Sequence, residues 1–203
     1  MSTPADAFAA DLEDWDDASL VGRSAGGDDQ AFAVLVRRYQ APLYRHAWRL
    51  TQDRRTAEDV TQEAFLTAWR RLPSLVRPES FRSWLYQIAT RRSIDVVRAR
   101  RPEQPLDRPG TGDTVGLGDT LVSADPGPAA AAEHHEQLED LAAALQALPL
   151  SQRAAWSMRE IDGLSYDEIA VALVLPVSTV RGRIARARHE LAERMSAWQT
   201  TRD

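Results

Sequence analysis

Residues 102–134 (PEQPLDRPGTGDTVGLGDTLVSADPGPAAAAEH) decide the architecture, because they offer nothing to bury. The segment is rich in Pro, Gly and Asp and its apolar residues are scattered, so neither a helical nor a strand face emerges. It reads as a flexible acidic linker. It separates a first unit at 27–101 from a second at 135–198. Residues 1–26 are acidic and lack a sustained period, and they read as a disordered tail. Both units carry helical periods without strand-like alternation. The expected fold class is all-α: two small helical domains on one flexible tether, the C-terminal one containing a helix-turn-helix.

In the first unit Phe32, Leu35, Val36 and Tyr39 fall at helical spacing. Pro42 is expected to break that helix or to open a second one carrying Leu43, Ala47 and Leu50, since a proline inside a helix removes a hydrogen bond and clashes with the preceding turn. A helix over about 55–72 buries Ala57, Val60, Ala64, Phe65 and Ala68. Another, over about 79–100, turns Phe81, Trp84, Leu85 and Ile88 inward. In the second unit Leu138, Leu141, Ala142, Leu145 and Leu148 form a stripe that Pro149 ends. Ser151 is placed to cap the next helix, which ends at Gly163. Ser165-Tyr166-Asp167-Glu168 has the form of a capping box, in which Ser165 bonds the amide three residues on and Glu168 reaches back. The last helix begins near Pro176 and buries Val177, Val180, Ile184, Ala187, Leu191 and Met195.

Charge is distributed unevenly. The net charge is −5 and all 25 basic residues are Arg. Residues 37–76 are net +4, residues 77–101 net +5 and residues 181–194 net +3, while residues 102–137 are net −6. Two cationic surfaces separated by an acidic strap suit local contact with a polyanion, whereas the whole molecule repels one at long range. Weak binding to free DNA follows, with strong binding where a partner holds the chain in place. There is no cysteine, which excludes disulfides and thiolate metal sites. His134-His135, beside Glu133 and Glu136, are neighbours on a linker rather than convergent ligands. No nucleophile–base pair, phosphate loop or dinucleotide fingerprint is present, so neither a catalytic site nor a cofactor is expected. No secretory signal or run of about 20 apolar residues is seen. A cytoplasmic protein without direct membrane insertion is expected.

Three surfaces carry the functional reading. The helix-turn-helix formed by 165–173 and 177–195 leaves Ser178, Thr179, Arg181, Gly182, Ala185, Arg186 and Arg188 pointing away from the core. Small residues there permit entry into a major groove, and guanidinium forks suit guanine edges or phosphates. The helix at 79–100 presents Arg82, Tyr86, Gln87, Arg91, Arg92, Asp95 and Arg98. With Arg77 in the preceding loop, these suit an unpaired strand held by charge and stacking. The Pro73–Ser80 loop could receive a flipped base. The helix at 55–72 sets Asp59, Gln62, Glu63 and Leu66, near Trp69 and Arg70, on an outer face of mixed character that suits protein docking.

Taken in order, these motifs resemble the extracytoplasmic-function (ECF) RNA polymerase sigma factors. Ala57-Glu58-Asp59-Val60-Thr61-Gln62-Glu63-Ala64-Phe65 through Trp69 is similar to that family's polymerase-docking segment. Phe81-Arg82-Ser83-Trp84-Leu85-Tyr86-Gln87-Ile88-Ala89, Ile94-Asp95 and Arg98 to Arg101 resemble its promoter-melting and minus-ten segment. Leu148-Pro149, Arg153, Gly163 to Ala170 and Pro176 to Arg183 resemble its minus-thirty-five reader. The family often has Asn where Arg91 stands, Gly where Val174 stands and Ser where Pro176 stands. A β-branched residue is disfavoured in a left-handed turn, so the turn at Val174 is expected to be remodelled.

The resemblance implies a transcription initiation factor rather than an enzyme. Asp59, Gln62, Glu63 and Leu66 would meet the clamp helices of the largest subunit of core polymerase. The second domain would sit on the flap of the second subunit with its last helix on the minus-thirty-five element. Arg77, Arg82, Arg91, Arg92 and Arg98 would hold the opened minus-ten strand. The acidic linker would thread the polymerase cleft, and an anti-sigma factor would restrain the chain. Two other readings remain at this level: a helix-turn-helix regulator acting without polymerase docking, and a helical adaptor with no nucleic-acid role.

Overall fold

A computed structural model describes residues 12–100 and 142–202. The described residues are helical, with no strand among them. The linker at 102–134, His134, His135 and the stripe residues Leu138 and Leu141 lie outside them.

From Leu12 onward the expected tail is part of the folded body. Helix α1 (Asp17–Ala25) is opened by the Asp16 carboxylate, which accepts from the Ser19 amide at 2.8 Å. It buries Leu20, Val21 and Ser24, and Leu12 ahead of it is buried as well. Two of the acids in this stretch are paired with arginines of the next helix. Glu13 accepts from Arg37 Nε at 2.7 Å, and Asp17 takes Arg38 at 2.7 Å and the Tyr39 hydroxyl. A few apolar residues in one short helix suffice when the neighbouring helix supplies their partners, which a search for a long period misses.

Helix α2 (Asp29–Thr51) is capped by Asp28, whose carboxylate accepts from the amides of Gln30 and Ala31. It runs unbroken through Pro42, contrary to the expected break. Val34 and Leu35 before the proline and Leu43 and Ala47 after it are all buried. Packing on both sides holds the helix together against a local cost of about 3 kcal/mol. Helix α3 (Arg54–Arg71) is capped by Asp53, which accepts from the Thr56 amide at 2.7 Å. Two 3-10 turns, Leu72–Ser74 and Pro78–Ser80, lead into α4 (Phe81–Arg100).

The second domain begins in the described residues with a helical stretch at 142–147, followed by α5 (Leu150–Glu160). Pro149 stands at its N-cap with no side-chain bond, so Ser151 lies inside the helix and does not cap it. Proline is tolerated there because a first-turn amide has no helical acceptor anyway. The turn that follows uses Gly163 at φ +69°, where a side chain would be strained. Helix α6 (Tyr166–Leu173) carries the anticipated capping box: Glu168 N donates to Ser165 Oγ at 3.2 Å and Ser165 N to Glu168 Oε2 at 2.7 Å. Helix α7 (Val177–Arg202) closes the fold and buries Val180, Ile184, Ala187 and Leu191. The side chain of Met195 lies outside the described residues.

The turn between α6 and α7 is not remodelled. Val174 itself takes φ 54° and ψ 52°, and it donates to the end of α6 while Leu175 N reaches Ala170 O at 3.0 Å. The two bonds cap the helix, and the closing geometry outweighs the preference of the side chain.

The two domains pack on each other. Leu50, Leu150 and Ala154 form a buried cluster that also touches Ile94, Val97 and Leu173. The main core runs on from α1–α4 into Leu164, Ile169, Ala172, Val180 and Ile184.

Val174 is 71% exposed, so trimming its side chain loses little burial. Left-handed backbone costs an L-residue roughly 1–2 kcal/mol, and glycine gives back about half of that as chain entropy. Val174→Gly should therefore raise stability by about 0.5–1 kcal/mol, read as a higher midpoint in urea unfolding; an unchanged or lower midpoint would contradict the strain.

Candidate polymerase and nucleic-acid interfaces

Helices α2 and α3 meet through Gln52 and Asp53 and leave an open apolar groove of about 810 Å³ between them. Phe32, Val36 and Tyr44 line it from α2, and Phe65, Leu66 and Trp69 from α3. The Phe32 ring lies 4.8 Å from Trp69 and meets Phe65 edge-on at 6.4 Å. Leu66 is 47% and Trp69 36% exposed, and Asp59, Gln62 and Glu63 are exposed on the same helix. One exposed leucine is ordinary on a soluble protein, whereas a continuous apolar groove is not; Asp29 and Glu58 are the acids among its lining, with Arg37, while Asp59 and Glu63 lie outside it on α3. Sequence spacing groups Phe32 and Val36 with the buried Leu35 in one stripe and leaves Tyr44 out. Phe32, Val36, Gln40 and Tyr44 recur every four residues beside the buried ridge, and that extra width was the available signal.

On α4, Arg91, Arg92, Asp95 and Arg98 are exposed, Gln87 is half-buried, and Arg77 is exposed in the preceding loop. Arg92 Nε lies 2.7 Å from Glu63. Two residues expected on different interfaces are thus paired across α3 and α4, in a contact exposed enough to contribute at most about 1 kcal/mol. Two others are engaged with the fold, Arg82 half-buried and Tyr86 buried. Arg82 donates to the backbone oxygen of Asp162 and lies 3.9 Å from Glu168. Tyr86 is buried, with its ring 5.1 Å from that of His46. Burial and then the nearby Asp162 carboxylate push the Tyr86 phenol above its usual range. The expectation that Tyr86 is free to stack on bases is therefore corrected: on a helix packed on two sides, its position faces the second domain.

On α7, Ser178, Arg181, Ala185, Arg186 and Arg188 are exposed, and Thr179 and Gly182 half-buried. Arg181 lies over the Tyr166 ring at 5.3 Å, with Arg159 also over that ring at 4.7 Å, and Arg188 bonds Glu160 at 2.6 Å. A Cβ added to Gly182 would meet only Arg186 Nη1, at 3.7 Å. The fold itself gives no reason for glycine there.

The residue that joins the domains was not singled out in the sequence. Asp162, in the turn after α5, is buried against α2: Oδ2 is 3.0 Å from His46 Nδ1 and Oδ1 is 2.6 Å from Arg49 Nη2. His46 Nε2 contacts Thr90 Oγ1 of α4 at 2.9 Å. Burial alone would raise this carboxyl, but hydrogen bonding and attraction from His46, followed by Arg49, outweigh it and hold it below 3.8, its ordinary value. Among the described residues no group of three or more His, Cys, Asp or Glu could hold a metal.

With this geometry in view, the chain matches the descriptions "Sigma-70 region 2" over residues 35–103 and "Sigma-70, region 4" over residues 138–191. It is 37% identical over 179 residues to the RNA polymerase sigma-H factor of Pseudomonas aeruginosa, covering 86% of this chain and 91% of that one. It belongs to the ECF RNA polymerase sigma factors. The ECF RNA polymerase sigma-E factor of Escherichia coli K12 is 36% identical over 178 residues, 86% of this chain and 92% of the relative. Among solved structures, CnrH in complex with the cytosolic domain of CnrY matches with a TM-score of 0.66 at 28% identity, over 89% of this chain and 97% of CnrH. As an ECF sigma factor the protein directs promoter-specific transcription initiation, which sets aside both the free-standing regulator and the adaptor.

A carboxylate held below its ordinary value stabilises the closed pair of domains at every pH above that value, and the contribution is lost as pH falls through the lowered one. Carbon-13 NMR titration of the Asp162 side chain should give a midpoint below 3.8; a midpoint at or above it would mean that His46 and Arg49 do not hold the charge.

Proposed function

We propose that the α2–α3 groove is the polymerase-docking surface and that Asp59, Gln62, Glu63 and Leu66 make its contacts with the clamp helices of the largest subunit. The observation that carries this is the open apolar groove along α3, beside the exposed Asp59 and Leu66, within the segment that matches sigma region 2. Phe32 and Trp69 supply the apolar floor and the acids set orientation, in keeping with interfaces that have an apolar centre and a polar rim. The unit at 27–101 then serves docking and minus-ten opening. The linker at 102–134 spans the polymerase cleft, and the unit at 135–198 sits on the flap.

The exposed set Arg77, Arg91, Arg92 and Arg98, with Gln87 and Asp95, is assigned to the minus-ten strand; Arg82 and Tyr86 join it only when the domains part. Ser178, Thr179, Arg181, Gly182, Ala185, Arg186 and Arg188 are assigned to the major groove of the minus-thirty-five element. Tyr166, flanked by two guanidinium groups, positions Arg181 for that contact. The protein acts in the cytoplasm as an initiation factor without catalytic activity of its own. No helix of the described residues is long and apolar enough to cross a membrane. CnrH was solved with the cytosolic domain of CnrY bound, and a polypeptide partner of the anti-sigma kind, as the family resemblance implies, is assigned here too.

Asp59→Arg reverses an exposed charge on α3 and should weaken core polymerase binding about ten-fold in a competition assay; unaltered affinity would remove that face of α3 from the docking surface. Arg186→Ala should lower runoff transcription from cognate promoters several-fold at unchanged polymerase affinity, since one direct base contact is worth about 1–3 kcal/mol. Full transcription from several promoters would take Arg186 out of the reading helix.

A further inference from the structure

We propose that the crevice where α2, α4 and the turn after α5 meet is a binding site for a small phosphorylated anion, with Arg45, Arg82 and the Tyr86 hydroxyl as its donors. The crevice has a volume of about 350 Å³, at the small end of the range for ligand sites. Arg38 and Arg45 line it from α2, Arg82 and Tyr86 from α4, and Ile161 and Asp162 from the turn. It lies apart from the α2–α3 groove, and the inference goes beyond the polymerase and promoter assignments without depending on them.

The charges around the crevice do not cancel. Arg38 is fully engaged, with Asp17 and with the backbone oxygens of Glu13 and Trp15. The one acid in the lining, Asp162, has its carboxylate on His46 and Arg49. Arg82 gives one nitrogen to the Asp162 backbone oxygen, and its other terminal nitrogen is 3.9 Å from Glu168. Other N–H groups of that guanidinium are left without an acceptor. Arg45 is half-buried and makes no hydrogen bond or ion pair among the described residues. Two guanidinium groups carried by neighbouring helices therefore line one concavity with positive charge to spare, and low-dielectric walls strengthen their pull on an anion.

Tyr86 adds an independent sign. It is 1% exposed, yet its hydroxyl has no hydrogen-bond partner among the described residues. The Tyr39 hydroxyl in the same lining is bonded to Asp17. A buried hydroxyl without a partner is costly and calls for an explanation. Burial holds the Tyr86 phenol above its usual range, so the oxygen keeps its proton and donates. A phosphoryl group meets all three donors at once. Its oxygens match the planar guanidinium fork, and their tetrahedral arrangement serves donors that arrive from two helices and a phenol. A carboxylate, with two oxygens in one plane, serves one fork and leaves the others. Walls drawn from three chain segments suit a compact free anion better than a continuous strand.

Titration calorimetry of the full chain with pyrophosphate tests the site, at physiological ionic strength where loose attraction to exposed arginines is largely screened. Saturable binding at one site per chain is expected. Arg45→Gln should weaken it about ten-fold or more and Tyr86→Phe about five-fold, since each removes one donor to the anion. Arg98→Gln, which removes an exposed guanidinium of α4 outside the crevice, should leave the affinity unchanged. Circular dichroism checks that each variant is folded, and Tyr86→Phe serves where Arg45→Gln loses helicity. Absence of saturable binding by the parent chain would overturn the site. Equal weakening by Arg98→Gln and Arg45→Gln would reduce it to diffuse charge and overturn it as well. A single-stranded oligonucleotide that displaces pyrophosphate, and that itself binds Arg45→Gln about ten-fold more weakly, would make the crevice part of the nucleic-acid surface and overturn the small-anion assignment. Because the free chain is measured, each of these results leaves the polymerase reading as it stands.

Discussion

A single carboxylate removed from water organises the contact between the two halves of this protein. Asp162 sits in a turn whose backbone is set by Gly163, and its two oxygens meet an imidazole and a guanidinium presented one helical turn apart on α2. An ionised group buried at that depth is tolerable only with such partners. The arrangement therefore fixes the angle at which the second domain meets the first, and with it which faces of α4 and α6 are covered. Thr90, on the far side of His46, extends the same chain of polar contacts into α4.

The functional surfaces are what this arrangement leaves outside. The α2–α3 groove opens away from the second domain, and the outer arginines of α4 and α7 remain in solvent. An overall negative charge coexists with local cationic faces because the acids lie elsewhere, many of them spent on neighbours within the fold. Arg37 and Arg38 are neutralised by Glu13 and Asp17, so the +4 counted along residues 37–76 overstates the field beside the groove.

Much of this was legible in the sequence, and the failures have identifiable causes. Helix α6 and its capping box were readable because capping is a local contact between residues three apart. The stripe on α7 was readable because a buried face repeats. Pro42 was misread because local propensity was weighed without the packing of Val34, Leu35, Leu43 and Ala47 on either side of it. The region from Leu12 to Ala25 was misread because its apolar residues are few and two of its acids, Glu13 and Asp17, are paired with distant arginines. Tyr86 was misread, and Asp162 with His46 and Arg49 went unnoticed, for one shared reason. Asp162 lies more than a hundred residues from His46 and Arg49 and well beyond the helix that carries Tyr86, and no periodicity within one helix announces a contact with another domain.

The anchoring of α1 bears on where this protein can be cut. The family-matched portion begins at residue 35, but the continuous hydrophobic interior starts at Leu12 and includes Leu20, Val21, Ala31 and Val34. A fragment trimmed to the family border would lose the buried Leu12, Leu20, Val21, Ala31 and Val34, strip the Asp28 cap from α2, and deprive Arg37 and Arg38 of Glu13 and Asp17. The packed interior is larger than the span the family model matches, and expression boundaries drawn from that span alone would pass through it.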